Sequence, residues 1–244
     1  MMRIILCEGK TDAILLSYYL EKTSGWHHNK KPRNLKLKFL SDENFGIYHY
    51  IKDDNELAIC AVGGKDNFIN FYTEYIEQYI VDSESTEFEY KIAIVVDRDD
   101  RSVEDIEKYF SENLSSNISK IINNEWTNNS INNRFGQKIT ISALVLVVPH
   151  NQQGALENLL LSALSEDKYN GNLISKSKEF VEKISPEATK IIATERLKLK
   201  TKLGVSLAVL YPEKVFSLID EQLKAINWEK TKTINECFEK LIDI

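Results

Sequence analysis

Cysteine is scarce in this sequence, and its spacing argues against sites built from cysteine. Three cysteines occur, Cys7, Cys60 and Cys237, each beside apolar neighbours and none in C-x-x-C spacing. Disulfide frameworks and structural zinc sites depend on paired or closely spaced cysteines. We therefore expect three small buried thiols in a reducing compartment, and no structural metal.

Long apolar runs and an excess of positive charge are also missing. No apolar run approaches the roughly 18 residues that a membrane span requires. The chain passes from Met-Met-Arg directly into an apolar segment, so we expect a cytoplasmic protein without a membrane partner. The formal net charge is −6, which argues against a protein that simply coats nucleic acid, because such coating requires a dense Lys and Arg surface.

Positive charge is concentrated in two basic strips. The first contains six basic residues and no acidic ones between Lys22 and Lys38. The second contains Arg196, Lys198, Lys200 and Lys202. Each strip is either a solvated face or the flank of a metal-loaded cleft that binds phosphodiester.

The segment Gly9-Lys10-Thr11 contains only half of a phosphate-binding P-loop. The pattern G-x-x-x-x-G-K-[ST] requires a glycine at position 4, and that residue is Ile4. Ile4, Ile5 and Leu6 instead predict a buried strand leading into the turn. The carboxylates of Glu8 and Asp12 are then the better candidates for chemistry.

Apolar strand-like runs alternate with helical patterns along the first two thirds of the chain. The runs lie at 2–7, 35–40, 57–62, 91–96 and 139–148, with helical spacing at 11–22, 65–80 and 102–112. This alternation predicts an α/β fold with a mainly parallel sheet flanked by helices. The asparagine-rich segment 113–133 is interpreted as a polar, partly helical connection.

The pattern becomes helical after Gly154. Helices are predicted at 154–165, 172–184, 186–200, 212–226 and 231–242. We therefore predict an α/β domain over 1–165 and a helical extension over 166–244 that packs on it.

A second acidic group follows the apolar strand of the segment "KIAIVVDRDD", residues 91–100. Strand side chains alternate between faces, so Asp97 and Asp99 are predicted to point the same way. Ligands of open α/β sheets bind at the carboxyl ends of strands. Glu8, Asp12, Asp97 and Asp99 can converge there. Clustered carboxylates need a cation, and oxygen ligands favour Mg²⁺ or Mn²⁺.

Other interpretations of this strand end stay open. An aspartate in this position often caps the next helix or lies in a solvated loop. Haloacid-dehalogenase-type phosphatases also place D-x-D after an apolar strand, with the first aspartate as nucleophile. Under that interpretation Asp97 would be phosphorylated. A Walker B interpretation fails because the P-loop is absent.

The order of these motifs resembles the Toprim domain of topoisomerases, bacterial primases, overcoming-lysogenization-defect nucleases and a ribosomal-RNA-maturation ribonuclease. The matching segments are "ILCEGKTD" at 5–12 and "VVDRD" at 95–99. "AVGGKDNF" at 61–68 and "VVPHNQQGALENLL" at 147–160 resemble further elements of stand-alone Toprim-like proteins. The resemblance covers roughly 1–165. The chain lacks the tyrosine motif of the topoisomerases and the zinc module of the primases.

The resemblance implies a role for each matched residue. Glu8 would be the general acid/base or a metal ligand, and Asp97 and Asp99 would be Mg²⁺ ligands. Asp12 matches the second acidic position of the nucleases. Glu157 would complete a second metal site, although a glutamate in the first turn of a helix is also favoured by the helix dipole alone.

Cationic and glycine positions are implied less specifically. Lys10 and the Gly63-Gly64 turn would contact phosphate. The nuclease relatives carry a late lysine, which Lys198 or Lys200 would supply.

The resemblance implies a Mg²⁺- or Mn²⁺-dependent nuclease acting on DNA or RNA, such as the nuclease subunit of a defence system. Because no P-loop ATPase is attached, energy coupling would need a separate ATPase partner chain. The alternatives are a non-catalytic adaptor for such an ATPase and the phosphatase described above. The oligomeric state is left open.

Overall fold

The computed structural model describes residues 2–29, 46–82 and 89–244. Its centre is one sheet of seven described strands in the order β2-β3-β4-β1-β5-β7-β6. The strands are β1 (Met2–Cys7), β2 (His27–His28), β3 (Gly46–Lys52), β4 (Asn55–Ala61), β5 (Glu89–Asp97), β6 (Thr127–Asn132) and β7 (Lys138–Val148). The four central strands β4, β1, β5 and β7 are parallel. The outer strands pair antiparallel.

Helices cover both faces of this sheet. The α-helices are α1 (Lys10–Ser24), α2 (Phe68–Phe71), α3 (Gln78–Asp82), α4 (Val103–Asn113), α5 (Leu156–Leu164), α6 (Lys168–Ile184), α7 (Glu195–Leu210), α8 (Ile219–Lys224) and α9 (Lys232–Phe238). A π-helical segment, Tyr72–Glu77, joins α2 to α3. The predicted α/β fold with a mainly parallel sheet and C-terminal helices is confirmed.

Two apolar cores lie on opposite faces of the sheet. Because strand side chains alternate, Ile4 and Leu6 pack with α2, the π-helical segment and α4, whereas Ile5 packs with α1 and α5. Leu203 of α7 and Phe238 of α9 belong to the same core as Ile5. Both sides of the predicted boundary at 165 therefore contribute to one core. The three cysteines are buried and free, as predicted.

The prediction for the asparagine-rich segment was wrong in one respect. Residues 127–132 form the edge strand β6, not a helix, and its side chains alternate between buried and exposed. The buried polar residues are satisfied locally, since the Thr127 hydroxyl donates to the carbonyls of Lys120 and Ala143. Asn129 pairs with the backbone of Lys120 in both directions. Polar side chains at inward positions concealed the strand pattern.

The helix predicted over 186–200 was also misplaced. Residues 186–194 form turns and bends, and α7 begins only at Glu195. The Thr194 hydroxyl accepts a hydrogen bond from the Leu197 N–H at 3.2 Å, which caps this start. The predicted strand at 35–40 and most of the first basic strip lie outside the described residues. No helix in the described ranges is long and apolar enough to cross a membrane.

Candidate active site

Glu8 lies at the carboxyl end of β1, directly beside the end of β5. The two strands are parallel neighbours, with Cys7 opposite Val95. The Oε1 atom of Glu8 accepts a hydrogen bond from the Asp97 N–H at 3.0 Å. Glu8 is 7% exposed and Asp97 is 2% exposed. The two carboxylates that the sequence placed 89 positions apart are therefore brought together.

Asp97 is anchored by the first residue of helix α5. Its Oδ1 atom accepts a hydrogen bond from the N–H of Leu156 at 2.8 Å. Leu156 is the first residue of α5, so the carboxylate lies at the positive end of that helix dipole. One oxygen of Asp97 is thereby fixed, and the other points into the cleft.

Asp99 lies beyond the end of β5, after a turn of the backbone. Strand β5 ends at Asp97, and Asp99 has a left-handed φ of 52°, which aspartate tolerates better than most residues. The Asp99 N–H donates to the Gly154 carbonyl at 2.7 Å, and the Gly154 N–H donates to the Asp99 carbonyl at 2.8 Å. The prediction that Asp97 and Asp99 share a side holds, because both contact one guanidinium, but strand alternation is not the reason.

Arg196 is the functional candidate that sequence reasoning missed. Its Nη2 atom lies 2.8 Å from Asp97 Oδ2 and 4.0 Å from Glu8 Oε2, and its Nη1 atom lies 3.5 Å from Asp99 Oδ1. The side chain is 44% exposed. The sequence placed Arg196 only in a basic strip. Thr194 is the N-cap residue of α7, and the helix begins at Glu195, directly before Arg196. This cap was the signal in the sequence that could have placed Arg196 in the first turn of a helix.

Asp12 completes the acidic group from the first turn of α1. Its Oδ2 atom accepts a hydrogen bond from the Gly9 N–H at 3.1 Å. Burial and the neighbouring charge of Glu8 raise the pKa of Asp12 to about 7. It lines the same cleft as Glu8 and Asp97.

The electrostatics of the cluster are those of crowded, desolvated carboxylates. Burial, with the charges of Asp12 and Glu8, raises the pKa of Asp97 to about 8 although Arg196 opposes the change. Burial also raises the pKa of Glu8. Desolvation lowers the Arg196 pKa, but the four surrounding carboxylates raise it overall. The cluster therefore favours either protons or a cation.

The Gly63-Gly64 turn fixes the backbone of Glu8. The N–H groups of both glycines donate to the Glu8 carbonyl, each at 3.0 Å. Gly63 and Gly64 have φ values of 82° and 123°, which glycine adopts readily. The turn, which was predicted to contact phosphate, uses these N–H groups inside the protein, and Gly64 lines the cleft. Lys65, the next residue, forms a 3.2 Å ion pair with Asp99.

Glu157 and the candidate lysines differ in position. The Oε2 atom of Glu157 is buried and has no hydrogen-bond partner among the described residues. Lys10 and Lys200 line the cleft with it. Lys198 instead forms a 2.6 Å ion pair with Glu182 of α6. Of the two lysines considered for the late catalytic position, Lys200 is the one that lies at the site.

The cleft is open and has a volume of about 240 Å³; its charged lining residues are Glu8, Lys10, Asp12, Asp97, Glu157, Arg196 and Lys200. Among the described residues, no group of three or more His, Cys, Asp or Glu side chains stands ready to hold a metal ion. The guanidinium of Arg196 lies where the free carboxylate oxygens converge. The arrangement as it stands is a carboxylate cluster with an internal cationic partner.

Fold and site together define an α/β protein with buried carboxylates at the carboxyl ends of adjacent parallel strands. The chain belongs to the family described as "Protein of unknown function (DUF3226)", whose model matches residues 2–243. No curated protein matches the sequence. A crystal structure of the hypothetical protein PH0156 from Pyrococcus horikoshii OT3 is similar, with 17% identity, 99% of each chain covered and a TM-score of 0.47.

Proposed function

We propose that this chain is a Mg²⁺- or Mn²⁺-dependent phosphodiesterase that acts on DNA or RNA. One observation carries the proposal. Glu8 and Asp97 each use one carboxylate oxygen for a backbone N–H, at 3.0 and 2.8 Å. Their second oxygens, with one oxygen of Asp99, lie within 4.0 Å of a single cationic group. Such pre-oriented oxygens are a site for positive charge at a sheet edge where ligands bind.

The residues fit a divalent ion by their chemistry. Carboxylate oxygens are the ligands that Mg²⁺ and Mn²⁺ prefer, and the guanidinium of Arg196 acts as the stand-in cation on them. Asp97 and Asp99 would hold the ion, with Glu8, Asp12 and Glu157 beside it. A bound ion supplies electrostatic stabilisation of the charge that develops on phosphate oxygens.

The remaining groups of the cleft have roles that follow from their positions. Lys10 and Lys200 line the cleft and would bind the phosphodiester charge. Glu8, with its raised pKa, suits a proton transfer at its Oε2 atom, since general acids and bases work best near the operating pH. A Toprim-type nuclease would use residues at the positions of Glu8, Asp97 and Asp99 for proton transfer and metal binding.

The competing proposal is a non-catalytic adaptor for a separate ATPase chain. The observation that favours it is Arg196, which already neutralises the carboxylates. The two proposals differ in what Arg196 does. In the nuclease it is a displaceable competitor of the metal, whereas in the adaptor it is a permanent counter-ion.

Calorimetric titration of Mn²⁺ into the wild-type chain and Arg196→Gln separates these proposals. For the nuclease we expect both proteins to bind Mn²⁺, and the variant to bind at least about fivefold more tightly, because a like charge near the site is gone. Lys198→Gln is the matched control. It removes one positive charge from the same helix, but Lys198 pairs with Glu182 and not with the carboxylate cluster. If neither wild type nor Arg196→Gln binds Mn²⁺ or cleaves any strand, the adaptor proposal replaces the nuclease.

A phosphatase of the haloacid-dehalogenase type would use Asp97 as nucleophile. Both Asp97 oxygens are engaged, one by the Leu156 N–H and the other by Arg196. A phosphoryl group trapped on Asp97 during turnover would establish the phosphatase instead.

A further inference from the structure

A second cavity opens beside the acidic cleft and differs from it in character. It encloses about 460 Å³, and apolar side chains of α5, α7 and the segment 215–219 line most of it, among them Leu156, Leu160, Leu203, Leu207, Val215 and Ile219. This volume lies within the roughly 300–1,000 Å³ usual for small-molecule sites. We call it the apolar chamber.

The chamber and the cleft share a wall. Thr11, Leu156, Glu157 and Lys200 line both. Glu157 and Lys200 are the charged residues that line the chamber, and both stand on this wall. A molecule with a phosphate in the cleft can therefore place an uncharged, apolar part in the chamber.

Gly204 gives the chamber part of its space. It lies within α7, where glycine is unfavourable relative to alanine. A Cβ atom built on Gly204 would meet no heavy atom within 4 Å. Packing within the protein therefore does not require a glycine at this position. The missing side chain leaves room in the chamber, which a ligand can use.

Gln222 adds one oriented polar group to the chamber lining. Its Nε2 atom donates to the carbonyls of Lys214 and Ser217, each at 3.1 Å. Both amide protons are thereby used, so the Oε1 atom is the atom left to accept a hydrogen bond from a ligand. An apolar chamber with a fixed acceptor at its edge suits a flat group that carries N–H donors.

We infer that the apolar chamber receives one unpaired nucleobase of a strand whose phosphodiester lies in the acidic cleft. The inference rests on the proposed function and narrows the substrate to single-stranded or locally unpaired nucleic acid. Enzymes that read an extruded base commonly place it between apolar side chains and bond its polar edge. The oriented Gln222 amide and the charged shared wall favour a base over an acyl chain.

The test uses a short single-stranded oligonucleotide with one 2-aminopurine, titrated in Ca²⁺ buffer and followed by fluorescence. Wild-type protein should change the fluorescence of the base as it leaves its stack. Gly204→Leu should fill the chamber and weaken binding at least about tenfold, comparable to losing the burial of an apolar group. Gly204→Ala is the matched control, and we expect its affinity within about twofold of wild type.

Two further measurements check that the Gly204 variants fold and that the chamber binds a base. Both Gly204 variants should melt at or above the wild-type temperature, because each removes a helix glycine. An otherwise identical strand with an abasic site should compete about tenfold less well than its parent. Equal competition by the abasic strand, or stronger displacement by octyl phosphate than by a nucleoside monophosphate, would overturn the inference. Absence of a fluorescence change with wild-type protein would also overturn it.

The outcomes separate this inference from the proposed function. Metal-dependent cleavage with equal affinities of wild type and Gly204→Leu would retain the phosphodiesterase and reject the base chamber. Base-dependent binding that Gly204→Leu abolishes, without cleavage in Mg²⁺ or Mn²⁺, would retain the chamber as a binding site and reject the phosphodiesterase.

Discussion

Glu8 and Asp97 show how a fold can hold two carboxylates in a buried position. Each gives one oxygen to a backbone N–H, at 3.0 and 2.8 Å, and this fixes the direction of the other oxygen. Charged groups without such bonds would be costly to bury. The remaining oxygens need a cation, which Arg196 supplies in this structure. Side-chain orientation here follows from strand ends and a helix start, before any ligand binds.

Glu8→Gln tests whether this carboxylate moves a proton. The substitution keeps the size and the acceptor for the Asp97 N–H but removes the charge. If the chain is the proposed phosphodiesterase, its metal-dependent cleavage should fall by roughly 10²-fold or more, the usual contribution of general acid–base catalysis. Glu74→Gln, an exposed carboxylate on the π-helical segment, is the control and should retain wild-type activity. Cleavage by Glu8→Gln at the wild-type rate would remove Glu8 from the mechanism.

The pH dependence of stability tests the buried acid group in metal-free protein. The folded pKa of Asp97 is raised to about 8 and that of Asp12 to about 7, above their unfolded values near 3.9. The folded state therefore binds more protons between these values, so this contribution to stability is greatest at low pH and is lost as pH rises through the folded pKa.

Thermal melts in EDTA measure this effect. Other groups also titrate, so the quantity of interest is the difference between wild type and Asp97→Asn. Between about pH 5.5 and about pH 8.5 the wild type should lose more stability than the variant, which cannot ionise at position 97. Parallel pH profiles of the two proteins would show that Asp97 ionises in the folded state as it does in the unfolded chain.

At the scale of elements, the sequence predicted the four central parallel strands, whose runs are continuously apolar. It did not predict the outer strands β2, β3 and β6. The runs at 2–7, 91–96 and 139–148 became β1, β5 and β7, and Ser102 caps α4 through the Asp105 N–H at 3.0 Å. Strand β6 was missed because Thr127 and Asn129 occupy inward positions. These polar residues can be buried because they form hydrogen bonds with the Lys120 backbone, and the periodicity of the sequence does not reveal such tertiary contacts.

Of the candidate site, the sequence predicted the carboxylates at the strand ends but not their cationic partner. Strand ends placed Glu8 and Asp97 at one edge of a parallel sheet, because neighbouring parallel strands end together. Arg196 follows Asp97 by 99 positions, and its helix was predicted with the wrong start. Its position depends on how α7 packs against α5 and α6, so no local pattern reveals the pairing.

Two identical glycine-to-alanine changes should have opposite effects on stability. Gly64 has φ 123° and ψ 161°, a region that is essentially restricted to glycine and costs other residues about 1–3 kcal/mol. Gly64→Ala should destabilise the fold by that amount and disturb the turn that holds the Glu8 carbonyl. Gly204→Ala, in α7, should instead stabilise it by about 0.5–1 kcal/mol.

Urea denaturation followed by circular dichroism measures both changes. A Cβ at either glycine meets no heavy atom within 4 Å, so the difference in sign reports backbone conformation and not steric overlap. If Gly64→Ala were as stable as wild type, the turn would have another conformation in solution. The activity of Gly64→Ala should also fall if the turn positions Glu8.

At the scale of the whole molecule, the C-terminal helices complete both the core and the site. Trp228 is 1% exposed, and its indole N–H donates to the Leu223 carbonyl at 2.8 Å. Phe238 of α9 packs edge-on against Tyr19 of α1, with ring centroids 5.5 Å apart. Arg196 and Lys200 of α7 reach the cleft formed by the strand ends. The carboxylates lie within 1–165, but the cover of the apolar face of α1 and the cationic side chains Arg196 and Lys200 of the site come from beyond it.

This shared core predicts one cooperative unfolding transition. Apolar residues from β1, α1, α7 and α9 belong to a single cluster, so loss of the C-terminal helices would expose the inner face of α1 to water. Urea unfolding followed by tryptophan fluorescence and by circular dichroism should give coincident curves. Trp228→Phe is the companion variant. It should lower the midpoint of both curves together, because the smaller ring leaves space and the indole hydrogen bond is lost. Two separated transitions, with only the first moved by Trp228→Phe, would instead establish that 1–165 and 166–244 fold as independent domains.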